Sequence, residues 1–480
     1  GIYFARLPLK KSATIVHGNA LQVDWREIVP PADLHYILGN PPFIGSKYMS
    51  DAQRAEVATI FHGVKGAGIL DFVASWYRKA TDFMESNKEI KTAFVSTNSI
   101  TQGEQVGTLW PDLLNRGVQI HFAHRTFQWS SEAKGKAAVH CVIIGFALHD
   151  SQNKKIFHYE SIQADAHETA ATNTNPYLID APNIVLLTRT TPLCEVPKIG
   201  IGNKPIDGGN YLFTAEEQAD FIKQEPNAER YFRRWIGSDE FINGYERFCL
   251  WLGECPPDVL RKMPHAMKRV EAVRQFRLNS KSAPTRKLAD TPTRFHVENI
   301  PDSSYLVIPE VSSERRTYIP IGFIASETLS SNLVKIVANA TLYHLGVLSS
   351  AMHMAWVRTV CGRLKSDYRY SAGIVYNNFP WPDNPTPKRR QAIETAAQAV
   401  LDARAAHPNA SLATLYDPLT MPPELVKAHR KLDAAVDAAY SKRKFTSDSD
   451  RVALLFERYQ ELVAERDLKT VIPKALTRSI

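Results

Sequence analysis

The sequence predicts an α/β protein with an N-terminal α/β layer, a mixed α+β middle segment and a C-terminal helical bundle. From about residue 10 to 150, short β-branched runs alternate with helical stretches, which favours a largely parallel sheet. From about 196 to 380 the pattern is irregular, with many Gly, Pro and aromatic residues. Beyond FPWPDNPTP (379 to 387), three amphipathic stretches predict three helices.

Five runs in the first segment have the composition of strands, because each is a short apolar run closed by turn formers. They are SATIVHG, LHYIL, KTAFVST, VQIHFA and AAVHCVIIGFAL. Ile69 to Phe83 has apolar residues at helical spacing and predicts a helix between the second and third runs. The last two runs follow each other without a full helix, so we expect an antiparallel hairpin at a sheet edge. A polar connector from 150 to about 195 ends in a further predicted strand, NIVLLT.

The length of 480 residues exceeds one ordinary core, and we place domains at 1–190, 191–382 and 383–480. The formal net charge is +8 and the pI about 9.0, which fits nucleic-acid binding and an ordinary basic enzyme alike. The middle segment contains a basic run: Arg261, Lys262, Lys268, Arg269, Arg274, Arg277, Lys281, Arg286, Lys287 and Arg294.

The five cysteines do not form the pattern of a disulfide framework or a zinc site. Cys249 and Cys255, the closest pair, have no His or Cys at metal-ligand spacing beyond them. We therefore expect reduced structural thiols and no metal. No apolar stretch is long enough to span a bilayer, and we expect no signal peptide, so the sequence indicates a cytoplasmic protein with no membrane partner.

The motif that carries chemistry is Asn40-Pro41-Pro42-Phe43, which follows LHYIL and Gly39. Open α/β sheets place their ligands in loops at the carboxyl ends of strands. The two prolines fix two φ angles and remove two backbone donors, which leaves rigidly directed carbonyls beside the side-chain oxygen of Asn40. Such acceptors can hold both N–H bonds of an exocyclic amine on a nucleobase, and Phe43 offers a ring for a base turned out of the duplex. The alternative is a Pro-rich turn with Phe43 in the core.

ILGNPPF resembles the catalytic motif of amino-methylating DNA methyltransferases of the adenine-N6 type. The similarity covers essentially the whole chain, and its longer segments resemble the MmeI-like (type IIL) restriction–modification enzymes. In that family one polypeptide carries a nuclease, a methyltransferase and a target-recognition domain. The segments are IVHGNALQVDW, DFVASWYRKATDFM, FVSTNSITQGEQVGTLW, IHFAHRTFQWSSEAKGKAAVHCVIIGF, KPIDGGNY, SSERRTYIPIGF and GRLKSDYRYSAGIVYNNFPWP. The resemblance implies a partial Rossmann-like class I methyltransferase sheet of the gamma class, followed by a target-recognition domain.

The resemblance also implies S-adenosylmethionine as methyl donor and adenine N6 as acceptor. Asn40 and the carbonyl of Pro41 would hold the adenine amine in a loop stiffened by Pro42, and Phe43 would stack on the flipped base. Asn19 and Ala20 correspond to the loop that contacts the adenine ring of the cofactor.

Asp71, which opens the helix after LHYIL, is a candidate second cofactor contact. An acid favoured by the dipole at a helix N-terminus is its equal alternative.

The sequence departs from the family pattern upstream of HGNAL, where a Gly-rich turn and an acidic residue hold the methionine moiety and the ribose. No such motif precedes Asn19, and GVKGAG (63 to 68) lies after the catalytic motif. The Asp and Glu-x-Lys pattern of a nuclease is not found either. We therefore expect the C-terminal portion of a longer enzyme, with weak or absent cofactor binding by this portion alone.

Candidate DNA contacts near the target base are Trp129, Lys134 and Lys136, in a loop that joins the last two predicted strands. An aromatic ring beside lysines suits an extruded nucleotide and its phosphates. A solvated hairpin tip is the alternative.

Glu314, Arg315 and Arg316 are the candidates for base recognition, because the charges of SSERRTY are too dense for a core strand. Arg can pair bidentately with guanine, and Glu can accept from cytosine N4. The alternative is an exposed strand with an internal ion pair.

Two further groups complete the predicted DNA contacts. Arg269 and Arg277, in the basic run, would contact phosphates, unless the run is a solvated helix face. Lys365, Tyr368 and Arg369 combine basic and aromatic side chains in a segment that, by the resemblance, ends the recognition domain.

The expected partner is double-stranded DNA, with the protein bound as a monomer. One alternative keeps the enzyme class with RNA or a protein glutamine as substrate, since Asn-Pro-Pro loops hold those amines too. The large basic C-terminal half argues for DNA. The second alternative is a DNA-recognition module without catalysis, because the Gly-rich motif is missing.

Overall fold

The computed structural model describes residues 13–129, 139–159 and 164–471. The chain divides into two compact units, Gly1–Leu186 and Leu187–Ile480. This division lies close to the predicted boundary at 190, whereas the predicted boundary at 382 falls inside the second unit. No helix within these ranges is long and apolar enough to cross a bilayer.

The first unit contains a six-stranded mixed sheet with the order β1-β2-β4-β3-β5-β6. Its strands are β1 (Tyr36–Gly39), β2 (Lys91–Thr97), β3 (Gln119–Trp129), β4 (Val139–Ala147), β5 (Lys154–Tyr159) and β6 (Ala166–Ala171). β1, β2, β3 and β5 run in one direction, and β4 and β6 run antiparallel to them. Every second residue of β2 is buried, because successive side chains of a strand point to opposite faces.

The sequence predicted β1 to β4 correctly, and β3 and β4 form the expected antiparallel pair. That pair does not lie at a sheet edge, because β5 and β6 extend the sheet beyond β3. The predicted strands SATIVHG and NIVLLT are wrong, since their described residues are irregular. Ile15 is 88% exposed, and no described strand pairs with its run. In NIVLLT, the Leu186 N–H donates to the Tyr177 hydroxyl, so its backbone bonds to a side chain. Composition alone does not form a strand without a ladder partner.

The described residues of the first unit form three α-helices: α1 (Asp51–Ile60), α2 (Ala74–Met84) and α3 (Gly103–Asn115). The predicted helix Ile69 to Phe83 is α2, which begins later than expected. Tyr77 of α2 is fully buried, with its ring centroid 5.3 Å from those of Phe94 in β2 and Phe146 in β4. This cluster packs α2 onto the sheet. α1 was not predicted, although Ser50 and Gln53 form a capping box at its N-terminus.

In the second unit, residues 187–471 form three small sheets, with the orders β14-β9-β10-β8, β13-β11-β15-β7 and β12-β17-β16. The strands are β7 (Ile199–Ile201), β8 (Leu212–Thr214), β9 (Phe232–Ile236), β10 (Arg247–Leu250), β11 (Tyr305–Pro309), β12 (Val311–Ser312), β13 (Gly322–Ile324), β14 (Leu329–Ser330), β15 (Val334–Val337), β16 (Arg363–Leu364) and β17 (Asp367–Arg369). β11 is buried along its whole length, which fits its continuous apolar run and its place between two strands.

The helices of the second unit are α4 (Ala215–Gln224), α5 (Ser238–Asn243), α6 (Pro257–Leu260), α7 (Pro264–Leu278), α8 (Ala283–Lys287), α9 (Leu342–Leu348), α10 (Ala351–Val360), α11 (Pro387–Ala405), α12 (Leu412–Leu415), α13 (Pro423–Tyr440) and α14 (Asp448–Val471). The three predicted C-terminal helices are confirmed as α11, α13 and α14. Ile393, Ala397 and Val400 form the buried stripe of α11 at helical spacing. Gly346 of α9 lies so close to this stripe that a Cβ there would be 2.6 Å from Ile393.

Candidate active site and recognition loop

The NPPF loop (residues 40–43) follows the carboxyl end of β1. The neighbouring strand β2 ends on the same side of the sheet. The two strands are parallel, with Gly39 in register with Phe94. Asn40 is exposed, and its side chain has no hydrogen-bond partner among the described residues. Pro41 is buried and Phe43 half-buried. The Asn40 acceptor is therefore free for a ligand, and the Phe43 ring is not enclosed in the core.

Asp71 ties the NPPF loop to the end of β2. One carboxylate oxygen accepts hydrogen bonds from the backbone N–H groups of Ile44 (3.3 Å) and Val73 (3.1 Å). The other accepts from the Thr97 hydroxyl at 3.4 Å. The Asp71 N–H itself donates to the side-chain oxygen of Gln105 in α3, at 2.9 Å. One buried side chain thus joins the residue after the loop, the start of α2 and the end of β2.

This arrangement corrects the predicted cofactor contact of Asp71. The residue is only 4% exposed, and both carboxylate oxygens face donors of the protein. Burial raises the pKa of the Asp71 carboxyl, and the hydrogen bonds from Val73, Ile44 and Thr97 oppose that rise. The carboxylate holds the loop and is not presented to a ligand.

Asn19 and Ala20 are exposed in a turn held by protein contacts. The Asn19 amide donates to the Glu56 carboxylate of α1, and its side-chain oxygen accepts from the N–H of Leu21 at 3.0 Å. The Ala20 carbonyl accepts from the Trp25 indole N–H at 2.9 Å. Both residues stay exposed in this turn, and their contact with the adenine ring of S-adenosylmethionine remains a prediction.

The predicted contacts near the target base remain a prediction. Trp129 is the last residue of β3, and Lys134 and Lys136 lie outside the described residues. Of the polar residues at the end of β2, Ser96 is buried and hydrogen-bonded to the Tyr77 hydroxyl at 2.7 Å. It therefore contributes to the core.

The recognition loop (residues 313–317) is a turn after β12, and not the exposed strand that was the alternative. Arg315 is the most exposed of its three charged candidates, with a guanidinium nitrogen 3.8 Å from the carboxylate of Asp417. Glu314 lies 3.7 Å from Arg363. Arg316 is half-buried and donates to the hydroxyl of the serine that ends β12, at 3.2 Å. Loosely paired charges of both signs are thus clustered on one turn.

Two arginines that the sequence prediction missed bond this loop, or the residues just after it, to helices. Arg358 of α10 donates to the Thr317 carbonyl at 2.7 Å and pairs with Asp448 at the start of α14, at 2.8 Å. Arg404 of α11 donates to the Ile321 carbonyl at 2.6 Å. Arg358 had a signal in the sequence, because it is the single formally charged residue of an otherwise apolar helix, AMHMAWVRTV. Arg404 had none, since amphipathic helices expose many arginines.

Arg277 is not a phosphate contact, which corrects the prediction. The residue is fully buried. Its guanidinium donates five hydrogen bonds of 2.7–2.9 Å to the backbone carbonyls of Pro205, Ile206, Leu288, Thr291 and Arg294. A guanidinium has five N–H donors, so none is left for DNA. Arg269 is half-exposed, with its guanidinium 4.8 Å from the centroid of the Phe213 ring.

The last predicted group lies on the β16–β17 hairpin, which pairs with β12 beside the recognition loop. Lys365 is exposed in the turn with a φ of 57°. Tyr368 is only 3% exposed, with the Arg363 guanidinium 4.0 Å from its ring centroid. Its predicted DNA contact is therefore wrong, since the ring packs inside the hairpin. Arg369 is exposed and pairs with Glu310 at 3.2 Å.

The fold and the site define a class: a methyltransferase-type α/β domain followed by a target-recognition domain and a helical region. Three family models match in this order along the chain. "MmeI, DNA-methyltransferase domain" matches residues 2–158, "MmeI, target recognition domain" residues 180–383, and "MmeI, C-terminal domain" residues 385–466. The chain belongs to the MmeI family, as its sequence segments predicted.

Two relatives illustrate this similarity. The chain is 42% identical to DNA methyltransferase A of Bacillus subtilis (strain 168), over 95% of the chain and 51% of that protein. It is 50% identical to the Type IIL restriction-modification enzyme MmeI, whose structure was solved in complex with DNA, with a TM-score of 0.87. That match covers 96% of the chain and 62% of the solved protein. The chain therefore spans about half the length of the curated relative.

Proposed function

We propose that the chain is the methyltransferase and target-recognition part of an enzyme that methylates adenine N6 in duplex DNA after flipping the base. The observation that carries this proposal is the NPPF loop, with the free Asn40 acceptor and the half-buried Phe43 beside the ends of two parallel strands. The matches to MmeI methyltransferase and target-recognition domains in one chain support it.

In this proposal, the side-chain oxygen of Asn40 and the carbonyl of Pro41 accept the two amine hydrogens of the extruded adenine. Phe43 stacks on the base. The buried Asp71 holds the loop against the end of β2 through its hydrogen bonds with Ile44 and Thr97. S-adenosylmethionine, the donor that methyltransferases use in general, supplies the methyl group when bound. Asn19 and Ala20 are the exposed turn that the cofactor would approach.

DNA reading would fall to the recognition loop, with Glu314, Arg315 and Arg316 as base contacts. Lys365 and Arg369 on the neighbouring hairpin would contact the backbone. The solved MmeI structure contains DNA, which is the reason to propose duplex DNA here. We propose that the chain acts on it as a monomer.

The test is methyl transfer from labelled S-adenosylmethionine to unmethylated duplex DNA, using the full gene product that carries this chain. We expect label in N6-methyladenine and a loss of roughly 100-fold or more in the Asn40→Ala variant, because one of two amine acceptors is removed. Asn153→Ala is the matched control, since Asn153 is an exposed asparagine in the loop between β4 and β5. Label in another base, or equal rates in both variants, would contradict the proposal.

A second candidate function is a DNA-recognition module without catalysis. β1 is the edge strand of the described sheet, and its Tyr36 and Leu38 are exposed. This uncovered edge beside the NPPF loop favours the second candidate. Calorimetry with S-adenosylmethionine separates the two candidates. Heat of binding supports the enzyme, whereas tight duplex binding without cofactor binding supports the module.

A further inference from the structure

A pocket of about 290 Å³ lies in the second unit beside β9 and β10. It is lined by Arg230, Tyr231, Arg233, Trp251, Glu254 and Pro256. The Trp251 N–H donates to the Tyr231 carbonyl at 2.8 Å and continues the β9–β10 ladder. Trp251 is 4% exposed, with its ring 4.6 Å from that of Phe295. The pocket therefore has a rigid aromatic wall.

The pocket has an excess of positive charge. Neither Arg230 nor Arg233 has a carboxylate within ion-pair distance in the part of the chain that the structure describes. The Arg230 guanidinium lies 4.9 Å from the centroid of the Tyr231 ring, and Arg233 is half-buried. Glu254 is the one opposing carboxylate of the lining, and it is exposed at the rim. Arg294 lies 5.7 Å from the Trp251 ring.

The next residue along β9 differs from Arg233. Arg234 points to the opposite face of the strand, because side chains alternate, and lies 3.9 Å from Glu246. Two adjacent arginines therefore have different surroundings: one enters the pocket without a carboxylate partner, and the other lies in an exposed ion pair. Arg233 is therefore not explained by an ion pair within the described residues.

We propose that this pocket binds a phosphate of the DNA backbone, with Arg230 and Arg233 as donors. The planar guanidinium fork suits two phosphate oxygens, and the aromatic wall reduces the competition from water. The pocket lies beside the β14-β9-β10-β8 sheet, whereas the recognition loop follows β12 of another sheet. Because a phosphate is the same at every base pair, this contact contributes affinity and not sequence discrimination. This inference rests on the proposed function, since it requires duplex binding.

The experiment measures the affinity of the chain for a short fluorescent duplex of arbitrary sequence over a range of salt concentrations. The slope of log affinity against log salt is negative, and each phosphate contact that is lost reduces its steepness by about 0.9. We expect a reduction of up to this size and a several-fold loss of affinity in Arg230→Gln and Arg233→Gln. Arg234→Gln is the matched control and should keep the wild-type slope. Wild-type slopes in both pocket variants would overturn the proposal.

Two further measurements distinguish a DNA phosphate contact from a structural arginine and from a site for a free anion. Arg233→Lys keeps the charge and should keep most of the wild-type slope. If its slope falls as much as that of Arg233→Gln and its melting temperature is also lower, Arg233 has a structural role and the proposal is overturned. Heat of binding with inorganic phosphate that depends on Arg233, without a change in the DNA slope, would assign a free anion and overturn it as well. If the wild-type chain binds no duplex at all, the proposed function fails first, which is a distinguishable result.

Discussion

The Tyr318 hydroxyl donates to the Asp433 carboxylate across 115 residues of sequence, at an O–O distance of 2.6 Å. The other Asp433 oxygen accepts from the N–H of Ala351 at 2.7 Å. The Tyr318 ring stacks on His429, with centroids 4.0 Å apart and planes at 16°. Tyr318 directly follows the recognition loop, and both of its partners lie on α13. Contacts with α13 thus fix the residue that directly follows the loop proposed to read DNA.

We predict that Tyr318→Phe lowers the discrimination between target and non-target duplexes. The ring keeps its stacking on His429, but the buried Asp433 loses one donor, at a cost of about 1–3 kcal/mol. Tyr440→Phe is the control, because its hydroxyl in α13 bonds the Pro380 carbonyl at 2.8 Å, away from the loop. The measurement is the ratio of the two dissociation constants. Equal ratios in both variants would show that the Tyr318 anchor does not position the loop.

Asp71→Asn is expected to slow methyl transfer by roughly 10- to 100-fold, because an amide cannot accept all the hydrogen bonds that hold the NPPF loop. Cofactor affinity should stay unchanged, since the side chain is buried. Single-turnover rates at saturating cofactor, together with calorimetry, measure both quantities. Weaker cofactor binding with a normal rate would restore the role that the sequence suggested for Asp71.

Arg277→Lys is expected to destabilise the protein by roughly 2–5 kcal/mol, because a lysine has three donors for five buried carbonyls. The affinity of the folded protein for duplex should not change. Urea unfolding measures the first effect, with Arg274→Lys as the exposed control on the same helix. A normal stability with weakened DNA binding would reinstate Arg277 as a phosphate contact.

The sequence predicted those parts of the fold that local patterns determine. β1 to β4, α11, α13 and α14 follow from periodicity and turn formers within each segment. The position of the NPPF loop was equally accessible, because a loop that follows a strand lies at the carboxyl end of that strand.

What the sequence could not predict depends on residues brought together by the fold. The role of Asp71 depends on Ile44 and Thr97, which come from separate segments. The burial of Arg277 did have a signal, because it lies at helical spacing with Val270 and Val273 on the buried face of α7. Its positive charge in a basic run favoured the wrong interpretation.

Two buried histidines are expected to make the free energy of unfolding depend on pH. His353 and His429 are fully buried, and burial lowers the pKa of each to about 3. Their Nε2 atoms bond the hydroxyls of Tyr370 and Tyr416, each at 2.9 Å. The folded protein keeps both rings neutral, whereas the unfolded chain takes up protons below the ordinary pKa of about 6.5.

Their contribution to stability is therefore complete above about pH 6.5 and is lost as the pH falls towards 3. Each histidine should lower the free energy of unfolding by about 1.4 kcal/mol per pH unit in this window, or roughly 2 kcal/mol at pH 5. Urea unfolding at pH 7 and pH 5 measures the loss, and His353→Gln should remove about half of the part due to this pair. If the variant and the wild type lose the same stability, His353 is not held neutral, and the cause of acid sensitivity lies in other groups.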